Sequence, residues 1–180
     1  IWSSQLFNIK VKAAWIIFVL VWSVSLGGAQ KLRAAENSES GPALLAVTEA
    51  LGRIEHWNGD LHAVIAVNKL AAEQAGELDR ERVSGQIRGS LHGIPILIKD
   101  NIGTLELPTT AGSLALASNH TSRDAAVVAR LRERGLVILG KTNLSEWANF
   151  RSERSSSGWS GVGGQARNPY DTSRSPCGSS

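Results

Sequence analysis

The sequence predicts an α/β domain. Between about residues 43 and 150, short apolar runs with strand character alternate with segments that repeat apolar residues at helical spacing. The 180 residues are 42% hydrophobic and 19% charged, which is an ordinary globular composition and enough for one sizeable core. No internal repeat is present, so solenoid and propeller architectures are not expected.

The first 29 residues have the layout of a secretory signal peptide. Lys10 and Lys12 precede an uncharged apolar run, residues 13–26, and Gly27 and Ala29 supply small residues at the −3 and −1 positions of a cut. The run is shorter than the roughly 20 residues of a membrane span. We therefore expect a signal peptide over 1–29 and a secreted protein, with an uncleaved membrane anchor through 13–26 as the alternative and a buried helix as the last option.

A polar linker over 30–42 precedes the predicted domain, 43–180. Pro42 suits the first position of a helix through Arg53, with Gly52 near its end. A short strand follows over 62–68, and then a helix with a charged outer face over 69–82. Residues 85–93 are predicted as a loop.

The second half of the domain continues this alternation. A second strand is predicted over 94–99, a small-residue loop over 108–113, and a helix from Thr121 or Ser122 through Arg134. The inner stripe of that helix comprises Ala125, Val128 and Leu131. A third strand is predicted over 136–140, and a capping box over 143–146 predicts a short helix that carries Trp147.

After Phe150 the composition shifts to Ser, Gly and Arg, which is typical of a long flexible loop or tail. Trp159 and Tyr170 oppose that interpretation, as does the triplet Gly178-Ser179-Ser180 directly after Cys177. Loops of this length are usually functional or disordered.

Charge and cysteine content exclude several classes of protein. Two of the 19 basic residues precede residue 31 and all 16 acidic residues follow it, so the predicted domain is nearly neutral. The sequence contains no basic stripe with interleaved aromatic residues, so it gives no indication of nucleic-acid binding. One cysteine excludes an internal disulfide framework, and no Cys/His spacing suggests zinc. We expect no metal and no organic cofactor.

Lys99 is the last residue of a strand that is predicted to be buried. A lysine in this position either extends into solvent or has a catalytic role. Taken alone, composition favours a solvated lysine. Apolar surroundings destabilise an ammonium group, however, and a neutral amine can act as a general base. A contact with the Asp100 carboxylate would favour the charged form of Lys99. Neighbouring residues on a strand point to opposite faces, however, so Lys99 and Asp100 need not touch.

The serines of the Gly178-Ser179-Ser180 triplet most simply form a turn, although a Ser/Lys pair can activate a hydroxyl without histidine. The four histidines lie outside any nucleophile motif, and we expect surface or packing roles for them. Cys177 has no evident histidine partner, and we expect it to be a small buried residue.

Several long segments occur in an order that resembles the amidase signature family of serine hydrolases, in particular its peptide-amidase-like and plant or fungal members. They are GSLHGIPILIKDNIG, TTAGSLAL, DAAVVARLRERGLVILGKTNLSEWANFRS, SSSGWSGVGGQARNPY and SPCGSS, within residues 54–180. The resemblance implies the N-terminal part of that family's fold, a mixed central sheet covered by helices. It also implies hydrolysis of a small-molecule or peptide amide.

The resemblance further implies a Ser–cis-Ser–Lys triad. Lys99 matches the base, and Ser179 matches the bridging serine that follows a cis peptide bond, which Gly178 would make sterically easier. Ser180 would support the network. Asn143 and Ser157 lie in segments expected to border the substrate pocket.

The family's nucleophilic serine and oxyanion-hole amides follow the Gly-Ser-Ser triplet, so we expect residues 1–180 alone to lack turnover. Two alternatives remain open at this point. One is a relative of the amidase-like component of glutamyl-tRNA amidotransferase, against which the secretory-type N-terminus argues. The other is a truncated, non-catalytic product.

Overall fold

The computed structural model describes residues 41–150 and 152–179. The predicted signal segment 1–29, with its apolar run 13–26, and most of the linker 30–42 lie outside the described residues. Within those residues the chain forms a three-stranded sheet with helices on both faces, as the α/β prediction requires. None of the described helices combines the length and hydropathy that crossing a bilayer demands.

The helices and strands follow the predicted order, with shifts of a few residues at their ends. In chain order they are α1 (Pro42–Leu61), β1 (Val64–Val67), α2 (Ala71–Val83), β2 (Pro95–Lys99), α3 (Ala126–Glu133), β3 (Val137–Thr142), β4 (Trp159–Ser160) and β5 (Gly164–Gln165). Two 3-10 turns, Leu114–Leu116 and Glu146–Asn149, lie between them.

Helix α1 begins at Pro42 as predicted but continues past Gly52 to Leu61. A glycine inside a helix costs about 1 kcal/mol, and burial of Val47 and Ala50 on the inner face of α1 offsets that cost. The N-terminus of α1 is capped from a distance. The Asp79 carboxylate of α2 accepts hydrogen bonds from the amides of Ala43 at 3.0 Å and Leu44 at 2.9 Å.

Helix α3 starts later than predicted, at Ala126. The Thr121 hydroxyl donates to the Thr104 carbonyl at 3.2 Å instead of capping a helix. The predicted inner stripe is confirmed, since Val128 is fully buried and both Ala125 and Leu131 pack against its cluster.

Strand β3 lies at the centre of the sheet, antiparallel to β1 and parallel to β2. It extends to Thr142, two residues beyond the prediction. The β2–β3 register shifts between Ile96 and Leu97, so Leu139 is an extra residue in β3. After this bulge, Lys99 pairs with Thr142, and Ile98 pairs with Lys141.

Each face of the sheet has its own core. Helices α1 and α2 cover one face through Ala43, Val47, Ala50, Ala71, Ala75, Leu78, Val137 and Leu139. Helix α3 covers the other through Val128 against Ile98 and Ile138.

The described residues after Phe150 form loops with a short hairpin and not a free tail, the alternative that the sequence left open. Strands β4 and β5 pair antiparallel, and Ser160, the last residue of β4, is fully buried. The Val162 amide donates to the Gly112 carbonyl at 3.0 Å, and the Arg167 amide donates to the Leu61 carbonyl at 2.9 Å. Local composition missed this order because backbone hydrogen bonds to distant segments provide it.

The predicted capping box is not formed, although a short 3-10 turn carries Trp147 as expected. The turn Glu146–Asn149 is a 3-10 turn without a side-chain cap, and its Trp147 and Ala148 have left-handed backbone angles. Asn143 does not act as a cap because its Oδ1 accepts from the neighbouring Leu144 amide at 2.9 Å and from the Ser160 hydroxyl at 2.7 Å.

Candidate active site

The fold brings Lys99 and Ser179, which are 80 residues apart in sequence, within 3.5 Å of each other, measured from Nζ to Oγ. Lys99 ends β2 and is half-buried, whereas Ser179 is exposed. The distance is at the outer limit for a hydrogen bond, and catalytic hydrogen bonds are often long when no substrate is bound. The two residues that the sequence identified as base and bridge therefore lie side by side.

The peptide bond between Gly178 and Ser179 is trans, which contradicts the expected cis bond. A trans bond is favoured by about 3 kcal/mol at a non-proline residue. The turn instead uses left-handed backbone angles at Cys177 (φ 59°) and Gly178 (φ 87°). The role predicted for Gly178, easing a cis bond, is therefore not observed, and Gly178 instead adopts a positive φ that favours glycine.

Ser145 connects this turn to the body of the domain. Its side chain is fully buried, its hydroxyl donates to the Gly178 carbonyl at 2.9 Å, and it accepts from the Gly158 amide at 2.7 Å. Ser145 was not among the residues predicted from the sequence. The only signal for it was its position in the motif that contains Asn143.

Asp100 is buried and does not pair with Lys99. Its Oδ2 accepts from the Thr110 amide at 3.1 Å, from the Thr110 hydroxyl and from the Gly112 amide at 3.3 Å. Its Oδ1 lies 3.6 Å from Nζ of Lys141. The Asp100 carboxylate therefore holds the 110–112 loop beside the end of β2.

Lys141 is the fully buried lysine of this region, and it too was absent from the predicted site residues. Its Nζ donates to the Ile102 carbonyl at 2.6 Å and to the Thr109 hydroxyl at 2.9 Å. Burial lowers the pKa of Lys141, and the Asp100 carboxylate opposes that shift. The available signal was the apolar run 136–140 directly before Lys141, which matches the run before Lys99.

The other predicted site residues have supporting or undescribed positions. Asn143 is buried, and its amide donates to the carbonyls of His62 at 2.9 Å and Gly164 at 3.2 Å, so it joins backbone segments. Ser157 is half-buried, and its Oγ lies 3.4 Å from Nδ2 of Asn149. Ser180 lies outside the described residues.

Cys177 is exposed, which corrects the expectation of a buried cysteine. It lies in the left-handed turn at residues 177 and 178, where Gly178 and Ser179 are exposed as well. In the part of the chain that the structure describes, no group of three or more His, Cys, Asp or Glu side chains could hold a metal ion.

A cavity of about 380 Å³ lies between α1 and the sheet. Its lining includes Trp57 and Leu61 of α1 and Leu97 and Leu139 of the sheet, and it includes neither Lys99 nor Ser179. The cavity is therefore separate from the Lys99–Ser179 pair.

A protein-family model described as Amidase matches residues 46–180. A protein of Arabidopsis thaliana named a probable amidase is 45% identical over 165 residues, which is 88% of this chain and 32% of that protein. One component of the glutamyl-tRNA(Gln) amidotransferase of Thermobifida fusca is 43% identical over 154 residues, or 84% of this chain and 30% of that protein.

Among solved structures, the native peptide amidase from Stenotrophomonas maltophilia aligns with a TM-score of 0.75 and 50% identity, covering 82% of this chain and 31% of that one. The chain therefore spans between about a quarter and a third of the length of the relatives it matches.

Proposed function

This chain belongs to the amidase family, and from that premise we propose that the protein hydrolyses the carbon–nitrogen bond of an amide through a Ser–Ser–Lys triad. The observation that carries the proposal is the approach of Lys99 Nζ to Ser179 Oγ across 80 residues of sequence. The substrate class that best fits is a peptide amide or a small amide, since a peptide amidase is similar in both sequence and fold.

In the proposed reaction, the side-chain amine of Lys99 accepts the proton of the Ser179 hydroxyl, and Ser179 accepts the proton of the nucleophilic serine. That serine forms a bond to the amide carbonyl carbon. The carbon–nitrogen bond then breaks, and the leaving nitrogen takes back a proton through the same pair. Water hydrolyses the resulting ester, which releases the acid and restores the serine.

We propose that the nucleophile is a serine that follows the 178–180 triplet in the longest reading frame encoding these residues. The hydroxyl of Ser180 would support the hydrogen-bond network. Asn143 and Ser157 are assigned to the scaffold of the pocket. The buried, fully bonded amide of Asn143 supports that role rather than contact with substrate.

The test measures release of ammonia or amine from a peptide amide and from an aryl amide by the protein expressed from that reading frame. Lys99→Met is expected to lower kcat/KM by about 10²-fold or more, because general-base catalysis contributes about 10²–10⁴-fold. Lys69→Met is the matched control, since Lys69 is exposed and lies just before α2. A Lys99→Met variant as active as Lys69→Met would refute the proposal.

A second candidate function is supported by the 43% identity to a component of a glutamyl-tRNA(Gln) amidotransferase. An enzyme of that class takes ammonia from an amide for transfer to a charged tRNA. Comparing free glutamine with a peptide amide as substrate separates the two candidates. A clear preference for glutamine, together with dependence on partner proteins, would favour the amidotransferase.

We further propose that the protein enters the secretory pathway through residues 1–29. The supporting observation is the order of basic, apolar and small residues in the sequence. N-terminal sequencing of the protein recovered from a eukaryotic host is expected to show a start at Gln30. Recovery of protein that retains residues 1–29 would refute cleavage.

A further inference from the structure

We propose that Ser145 is a positioning residue for Ser179. Its hydroxyl fixes the carbonyl of Gly178 and thereby sets the direction from which the Ser179 hydroxyl approaches Lys99. This inference rests on the proposed function of the Lys99–Ser179 pair.

The turn that carries Ser179 has little packing of its own. Cys177, Gly178 and Ser179 are all exposed, and a Cβ added to Gly178 would meet no atom within 4 Å. Cys177 and Gly178 have consecutive left-handed backbone angles, which cost energy at a non-glycine residue such as Cys177. Such a conformation persists only where surrounding contacts hold it.

Ser145 supplies two of those contacts. The bond from its hydroxyl to the Gly178 carbonyl fixes one side of the Gly178–Ser179 peptide. Ser145 Oγ also accepts a hydrogen bond from the Gly158 amide, which fixes the position of Gly158. Gly158 in turn lies so close to Pro176 that an added Cβ would be 2.7 Å from Pro176 Cγ. The turn is therefore held both at residue 178 and at residue 176.

Ser145 is well suited to hold a fixed geometry and poorly suited to react. Its side chain is fully buried, and its hydroxyl both donates and accepts a hydrogen bond to backbone groups. Leaving such buried groups unsatisfied is costly. Ser145 therefore acts on the reaction through Ser179, without touching substrate.

The chain offers a closely matched control in Ser160. That serine is also fully buried, its hydroxyl donates to Asn143 Oδ1 at 2.7 Å, and it accepts from the Gly163 amide at 2.9 Å. Ser160→Ala thus removes the same number of hydrogen bonds without changing a contact to Gly178. A loss of kcat that occurs in Ser145→Ala and not in Ser160→Ala therefore measures the effect of the Ser145 contact with the turn that carries Ser179.

The experiment compares Ser145→Ala with Ser160→Ala in the protein expressed from the longest reading frame. Both variants are expected to lower Tm by similar amounts. Ser145→Ala should lower kcat about 10-fold or more while KM changes less than about twofold, because a small misplacement of a catalytic group is costly. Ser160→Ala should keep kcat within about twofold. Equal kcat values for the two variants would overturn the proposal.

Hydrogen exchange gives a second measurement that does not depend on amide hydrolysis. The amides of Gly158, which donates to Ser145 Oγ, and of residues 177–179 are expected to exchange faster in Ser145→Ala than in Ser160→Ala, and equal exchange would contradict the proposed link. If wild-type protein hydrolyses no amide while this exchange difference is present, the proposed function fails and the structural link stands. Should Ser145→Ala not fold, Ser145→Cys applies the same tests, because a thiol fills the site, with a somewhat larger atom, but forms only weak hydrogen bonds.

Discussion

Two lysine side chains, Lys99 and Lys141, lie near the ends of neighbouring parallel strands in different environments. The register pairs Lys99 with Thr142 and Lys141 with Ile98, so the two lysines face opposite sides of the sheet. Lys99 is half-buried beside Ser179, whereas Lys141 is fully buried beside Asp100. Lys99 serves the proposed chemistry, whereas Lys141 fixes the loops next to it.

The lowered pKa of Lys141 predicts a distinct dependence of stability on pH. Between the folded-state pKa and the usual value of 10.5, the unfolded chain binds more protons than the folded one. The free energy of unfolding should therefore rise with pH in that window. Urea unfolding between pH 8 and 10.5 is expected to show the difference between wild type and Lys141→Met growing with pH.

The comparison with Lys141→Met cancels the contributions of the other ionisable groups, which both proteins share. A difference that stays constant from pH 8 to 10.5 would contradict the assigned direction. Lys141→Met should also be less stable than wild type by about 3 kcal/mol or more, because it leaves the buried Asp100 carboxylate without its ion-pair partner.

At the element scale, α1 and α2 depend on each other through one carboxylate. Asp79 lies in the second half of α2, is 8% exposed, and accepts two amides from the first turn of α1. Gly41 precedes α1 because any Cβ there would collide with the Asp79 carboxylate. The start of α1 is therefore fixed by a residue 35 positions or more away.

Asp79→Ala is expected to lower the free energy of unfolding by about 2 kcal/mol, since a lost helix cap and bonds to a buried charge have this magnitude. Glu77→Ala is the matched control, because Glu77 is an exposed acidic residue on the same helix. It should change stability by less than about 0.5 kcal/mol. Equal effects of the two substitutions in urea unfolding would show that Asp79 does not cap α1.

At the scale of the whole molecule, the 110–112 loop joins three parts of the chain. Asp100 at the end of β2 binds it, the Trp147 amide donates to the Ala111 carbonyl at 3.0 Å, and the Val162 amide donates to the Gly112 carbonyl at 3.0 Å. An added Cβ at Gly112 would lie 2.7 Å from Ser160 Cβ. The hairpin of β4 and β5 thus packs on the domain at a position that needs glycine.

Gly112→Ala is expected to destabilise the protein by about 2 kcal/mol more than Gly85→Ala, the excess being typical of overpacking. Both glycines have a positive φ, 79° and 82°, so both substitutions carry the conformational cost of about 1 kcal/mol. An added Cβ meets no atom within 4 Å at Gly85, so the excess for Gly112→Ala measures the close approach. Urea unfolding provides the comparison, and equal losses would contradict tight packing of the hairpin.

Much of this architecture could be predicted from local pattern. Apolar runs before Lys99 and Lys141, the helical stripe around Val128 and the proline that starts α1 each depend on residues within about one helical turn or one strand. The family motifs further indicated Lys99 and Ser179 as a pair. Element ends were less predictable, as at Gly52, because packing against distant helices offsets the local cost of glycine.

Local patterns and family motifs were thus enough to predict the α/β class, the order of the helices and sheet strands, and the candidate base and bridge. The bulge at Leu139 that leaves Lys141 in the core, the capping of α1 by Asp79 and the contact of Ser145 with the turn before Ser179 became visible in the folded chain alone. The physical reason is that these contacts join residues about 30 or more positions apart in the chain. Hydrogen bonds of buried polar groups depend on how the elements pack, and no local period in the sequence encodes that packing.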